Sequence, residues 1–116
     1  MLEDRIKKLA INAAKLAIDK KATDTVVLEL TNVSSVAEYF VICSGENPAQ
    51  LRAIANVIDE YFSKEKLACR GREGRDFAKW ILLDYGDIII NIFNEETRGY
   101  YDLDKMWIDA PRIEVQ

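Results

Sequence analysis

The sequence predicts an α/β domain of the α+β kind: a mixed β-sheet with its helices packed mainly on one face. Three observations predict this. The run Trp80-Ile-Leu-Leu-Asp-Tyr-Gly-Asp-Ile-Ile-Ile-Asn-Ile-Phe93 sets two β-rich apolar segments around a four-residue polar break, which is a hairpin signature. Two long amphipathic stretches alternate with at least four such β-rich runs. Each helix spans roughly 10 Å of sheet and strands lie roughly 4.8 Å apart, so two helices cover one face of a four-stranded sheet and leave the other without a helical cover.

Taken in order, residues from Leu2 to Lys21 read as a helix. Ile6, Leu9, Ala13, Leu16 and Ala17 recur at helical spacing, while Asn12 and Lys15 lie off that stripe. Glu3 and Asp4 in the first turn and Lys20 and Lys21 in the last suit the helix macrodipole. Thr25 to Leu30 reads as a strand, with Val26, Leu28 and Leu30 facing one way and Val27 and Glu29 the other. Thr31 to Ala37 is a polar connection. Tyr39 to Cys43 is an unbroken apolar run, which suggests a central strand. In Ser44-Gly45-Glu46-Asn47-Pro48 the chain turns into a second helix, with Asn47 as N-cap, Pro48 at the first helical position and Gln50 where a capping box wants it.

That helix runs to about Lys66, with Leu51, Ile54, Ala55, Ile58, Tyr61 and Phe62 on one face. Arg70 to Arg75 is charged and punctuated by glycine, and reads as an exposed loop. The hairpin follows. With Tyr85-Gly86 as its loop, Asp84 faces Asp87 and Trp80 faces Asn91. Its two faces then differ: Ile81, Leu83, Ile88, Ile90 and Ile92 are wholly aliphatic, whereas Trp80, Leu82, Ile89, Asn91 and Phe93 are aromatic with one polar member. Asn94 to Gly99 reads as a turn or short helix, Tyr100 to Trp107 as a short helix, and Arg112 to Val115 as a short edge strand after Pro111.

At 116 residues with 49% apolar side chains the chain makes one domain, 1–116, with an ordinary globular core. The formal net charge of −4 lacks the basic excess of a nonspecific nucleic-acid binder, so direct DNA binding is not expected. An RNA-bound setting is still open if the direct partner is a basic protein, since opposite charges speed encounter. Cys43 and Cys69 form no Cys-x-x-Cys and read as free thiols in a cytoplasmic protein. There is no signal-peptide pattern and no apolar stretch long enough for a membrane. The chain has no histidine, which removes the commonest general base and metal ligand.

Several sites compete. An open sheet face bearing Trp80, Leu82, Ile89 and Phe93 is an apolar patch of the kind that marks interaction surfaces, and Trp and Tyr are enriched at hot spots. The plain alternative for the set Trp80, Phe93, Tyr100, Tyr101 and Trp107 is a small second core, formed by a C-terminal segment that folds back. Asn91 is either hydrogen-bonded internally or offered to a partner. Asp84, Asp87 and Asp102 form a conceivable carboxylate set, but Asp is common in turns and no metal is expected. Ser44-Gly45 between strand and helix suggests a nucleotidyltransferase. The carboxylate pair that such an enzyme needs for two metal ions is missing from Trp80-Ile81-Leu82-Leu83, so neither catalytic residues nor a cofactor is expected. A metal-dependent nucleotide-transferring enzyme and a homodimerising module remain the alternatives.

The run Asp24 to Leu30, then Ser34-Ser35, Tyr39-Phe40-Val41-Ile42 and Ser44-Gly45, then Glu73-Gly74, Trp80, Leu83-Asp84-Tyr85-Gly86-Asp87, Glu96-Thr97-Arg98, Tyr101-Asp102-Leu103 and Trp107, resembles the ribosomal silencing factor family, also called Iojap-like. The resemblance spans nearly the whole chain. It implies a nucleotidyltransferase-like fold without the catalytic carboxylates of that superfamily. It also implies a non-enzymatic role: binding to ribosomal protein L14 on the large subunit, blocking small-subunit joining and repressing translation when nutrients are scarce. Carried over by position, the partner surface is Trp80, Leu82, Asn91, Phe93, Tyr101, Leu103 and Trp107. The family commonly has histidine where Asn91 stands; an amide still donates and accepts, but does not titrate.

Overall fold

The computed structural model describes residues 2–32, 35–101, 110–113 and 115. The elements in chain order are α1 (Leu2–Asp19), β1 (Thr23–Glu29), β2 (Tyr39–Gly45), α2 (Pro48–Lys64), β3 (Gly71–Glu73), β4 (Trp80–Asp84), β5 (Ile88–Asn94), α3 (Glu95–Tyr101) and β6 (Arg112–Ile113). The six strands form one mixed sheet in the order β3-β4-β5-β2-β1-β6. β2 and β5 pair in parallel at its centre, and every other pair is antiparallel. All of β2 is buried, as its unbroken apolar run requires. Among the described residues no helix is long and apolar enough to cross a membrane.

Both long helices lie on one face, as their number predicts. Ile6, Leu9, Ala13 and Ala17 of α1 and Leu51, Ile54, Ile58 and Phe62 of α2 join Val27, Val41, Cys43, Ile81, Leu83, Ile88, Ile90 and Ile92 in one core. The alanines of α1 keep its stripe thin enough for close packing on the strands. Asn47 caps α2 by accepting the Gln50 N–H at 2.8 Å, with Pro48 at the first helical position. Both helices end alike. Lys21 and Lys66 adopt left-handed φ values of 68° and 61°, and the next residues, Ala22 and Leu67, donate to carbonyls five positions back, Ala17 and Phe62. This Schellman closure usually recruits glycine. Lys20 and Lys21 therefore lie just beyond α1.

Two expectations are corrected. The hairpin turn is Gly86-Asp87: Tyr85 N–H donates to Ile88 O at 2.9 Å, Trp80 pairs with Phe93 and Leu82 with Asn91. This puts Gly86, at φ 84°, at the first central position, where turns of the II′ class want glycine. The Asp84 carboxylate accepts the Gly86 N–H at 2.8 Å. The register moves by two residues, so the two predicted faces survive intact. Second, Gly71–Glu73 is a short edge strand paired with β4, not a loop. Charged side chains on a three-residue edge carry no apolar alternation, and they also discourage pairing with other chains. The short-helix reading of Asn94 to Gly99 holds as α3 over Glu95–Tyr101, and the helix expected over Tyr100 to Trp107 lies outside the described residues from 102 on.

A polar knot ties these layers together. The Asp59 carboxylate of α2 accepts two bonds at 2.9 Å and one at 3.2 Å from the Arg72 guanidinium of β3, and a 2.7 Å bond from the Tyr85 hydroxyl at the hairpin end. Burial raises the Tyr85 pKa, and its hydrogen bond to Asp59 adds to the shift. Burial likewise pushes the Cys43 thiol up to about 12, against a smaller opposing pull from Arg98.

Both groups hold their proton in the folded state at a pH where the unfolded chain releases it. Stability is therefore full below the unfolded thiol value of 9.0 and declines as pH rises from there to about 12. The expected slope is about 1.4 kcal/mol per pH unit, steepening above pH 10 as Tyr85 contributes. Denaturant titrations from pH 7 to 11 check this, and Tyr85→Phe is expected to remove the steeper part. At pH 8 a thiol reagent is expected to modify the half-buried Cys69 while sparing Cys43 until the chain unfolds.

Candidate partner-binding face

The sheet face turned away from α1 and α2 carries a second, smaller core: Leu28, Leu30, Ala37, Phe40, Ile42, Ile89, Phe93 and Ala110, with Val26, Trp80 and Leu82 half-buried around it. The expectation of a wholly open face is thus corrected. Phe93 is fully buried and Ile89 is 8% exposed. Ala37 from the β1–β2 connection and Ala110 before β6 close part of the face. Trp80 closes another part itself.

Trp80 and Phe93 stand directly opposite each other on β4 and β5, and their rings stack with centroids 4.9 Å apart and planes 28° apart. The Trp80 indole N–H donates to Asn91 Oδ1 at 3.1 Å. Phe93 and the Asn91 amide thus help hold the indole as a flat lid over Phe93, and Trp80 is half-exposed beside the half-buried Leu82. Aromatic pairs of this kind contribute about 0.5–1.5 kcal/mol beyond the area they bury. Asn91 is 1% exposed and is here bonded inside the protein, the first of its two sequence readings. Only half of the amide is satisfied: Nδ2 is buried and without a hydrogen-bond partner.

α3 begins at the same end of the sheet. Asn94 caps it by accepting the Thr97 N–H at 2.7 Å, and the Asn94 N–H donates to Lys79 O beside Trp80. From the helix, Arg98 Nη1 donates to Asp24 O and to the buried Ser44 Oγ, the latter at 3.0 Å. The Ser44-Gly45 turn thus has a structural use as the anchor of α3. Tyr101 is the last residue of α3, and Leu103 and Trp107 lie outside the described residues. Of the seven residues singled out by the sequence, the fold gathers Trp80, Leu82, Asn91 and Phe93 in one patch. Trp80 and Leu82 reach the surface, while Asn91 and Phe93 support them from below. Sequence reading missed Phe77, which is 84% exposed on the loop leading into β4. A lone aromatic inside a charged, glycine-marked stretch was the available signal.

Asn91→Leu removes a buried amide hydrogen donor that has no acceptor, an arrangement that costs about 1–3 kcal/mol, and forfeits one hydrogen bond of about 1 kcal/mol. The expected outcome in thermal unfolding is neutral to mildly stabilising. Asn91→Asp places a carboxylate in the same dry site and is expected to destabilise by about 3 kcal/mol at pH 7. Because burial raises that carboxyl's pKa, the loss should shrink as pH falls towards 4.

Comparison with known proteins agrees with this architecture. The family model described as "Ribosomal silencing factor during starvation" matches residues 3–116. A ribosomal silencing factor of Halalkalibacterium halodurans is 34% identical over 116 residues, covering 100% of this chain and 97% of the relative. That of Bacillus subtilis is 39% identical over 103 residues, 89% of this chain and 87% of the relative. A crystal structure of a protein from Bacillus halodurans superposes with a TM-score of 0.78 at 32% identity, covering 96% of this chain and 98% of that one. With a match over almost its entire length and the same fold, the chain belongs to the ribosomal silencing factor family.

Proposed function

We propose that this chain silences ribosomes by occlusion. It docks on ribosomal protein L14 of the large subunit and occupies space that the small subunit needs, which lowers translation under nutrient limitation. The observation that carries the reading is Trp80, held flat by Phe93 and Asn91 and presented half-exposed beside Leu82. A rigid aromatic anchor that keeps its conformation on binding loses little entropy, and such anchors dominate protein interfaces. The net charge of −4 suits a basic ribosomal protein. The family resemblance adds Tyr101, Leu103 and Trp107 to the residues expected to meet the partner.

The role is regulatory rather than catalytic, and it acts in the cytoplasm. Asp84 is engaged with the turn amide of Gly86, which supports a structural use for that carboxylate. Whatever free energy binds the factor to the large subunit opposes subunit joining by mass action.

Trp80→Ala is expected to weaken cosedimentation with the large subunit by about 30-fold, corresponding to about 2 kcal/mol. It also uncovers Phe93, so thermal unfolding must be followed in parallel; the domain is expected to remain folded at 25 °C. Tyr101→Ala is expected to weaken binding less. Unaltered binding by both variants would sink the assigned surface.

A further inference from the structure

We infer that Arg98 is a positioning residue: its guanidinium, seated in a polar socket made by β1 and β2, holds α3 where Tyr101 meets the partner. The inference rests on the reading above and adds to it a residue that acts on the partner surface from behind. α3 needs such a hold. It has seven residues, where isolated helices in water are marginal below about 12–15, and Gly99 weakens it further. Of Glu95 to Gly99 none is buried and none belongs to either core; Thr97 and Arg98 are half-buried and the rest exposed. Over these residues the place of α3 against β5 and β2 is set by polar bonds: the Asn94 cap, which accepts the Thr97 N–H at 2.7 Å, and Arg98.

The socket is built from two strands. β1 carries a bulge: Thr23 pairs with Ser44 and Val26 with Ile42, so Asp24 and Thr25 stand opposite Cys43 alone. A bulge interrupts the ladder and re-aims the residues in it. Asp24 takes a left-handed φ of 49°, which aspartate adopts more readily than most side chains, and its carbonyl accepts from Arg98 Nη1. The same nitrogen donates to Ser44 Oγ at 3.0 Å, and Ser44 is 1% exposed. A buried hydroxyl and a carbonyl within the bulge thus meet one guanidinium in charge-assisted bonds, which are stronger than neutral ones.

The socket adjoins the partner face. Ser44 stands opposite Phe93 in the parallel pairing of β2 with β5, next to the ring that Trp80 covers. Tyr101 closes α3 about one helical turn after Arg98. A helix held at its cap by Asn94 and near its end by Arg98 presents Tyr101 in one place, which reduces the entropy lost on docking.

The test is quantitative cosedimentation of the full chain with purified large subunits, run as a double-mutant cycle on Arg98→Ala and Tyr101→Ala. Arg98→Lys, Ser44→Ala and Trp80→Ala are measured alongside, and thermal unfolding is followed for each. Arg98→Ala is expected to weaken binding about fivefold in the wild-type chain but less than about twofold in the Tyr101→Ala chain, because it acts through that residue. Arg98→Lys, which keeps the charge on a shorter arm, should recover part of the affinity, and Ser44→Ala, which removes one acceptor, should lose about twofold. A general structural role predicts the same loss in both backgrounds, and that result overturns the inference. So does wild-type binding by Arg98→Ala; with Trp80→Ala still weakened, the functional reading then stands without it. If Arg98→Ala does not fold at 25 °C, the same cycle run with Ser44→Ala decides. If the wild-type chain fails to sediment with large subunits, the functional reading fails and the positioning role falls with it.

Discussion

Everything in this fold depends on how β4 and β5 alternate. Their pairing sends Ile81, Leu83, Ile88, Ile90 and Ile92 into the main core with both long helices. The same pleat necessarily sends Trp80, Leu82, Ile89, Asn91 and Phe93 to the opposite side. A slip of one residue would exchange the two sets, bury a tryptophan and an asparagine under α2, and strand five aliphatic side chains on the far face. The price of holding the register is small and local: a glycine at φ 84° and an aspartate carboxylate on its amide.

From that constraint the rest follows in layers. α1 and α2 cover the aliphatic side, and the Asp59, Arg72 and Tyr85 bonds lock α2 to the hairpin end and the β3 edge. The opposite side receives no long helix among the described residues, and it closes by modest means: two alanines from connections, and an indole laid over Phe93. The ring is held by Phe93 and Asn91 and stays half-exposed. Beneath it, Asn91 keeps one buried amide donor without a hydrogen-bond partner.

How much of this was legible in the sequence depended on the range of the forces involved. Periodicity is local, so the helices, the central β2 run and the division of the hairpin into two faces could be read from Leu51, Ile54 and Ile58 or from Ile88, Ile90 and Ile92. The hairpin register could not, because it is decided by whether Gly86 is first or second in the turn, and either choice gives the same faces. β3 was hidden because its pairing with β4 is tertiary and its residues are charged. Counting helices against strands showed correctly which face they would cover, but it overestimated what was left bare, since it ignored the area that a single stacked tryptophan and two small residues can seal. Phe77 escaped because an exposed aromatic on a charged loop has no periodicity to betray it.

The central claim is occlusion: binding of the factor and joining of the subunits exclude each other. Light scattering of purified subunits titrated with the folded chain measures this most directly. The account predicts that joined ribosomes fall as the chain is added, and that excess small subunit restores them, as competition for one face of the large subunit requires. A chain that binds the large subunit yet leaves joining unchanged, or an inhibition that excess small subunit cannot relieve, would contradict it.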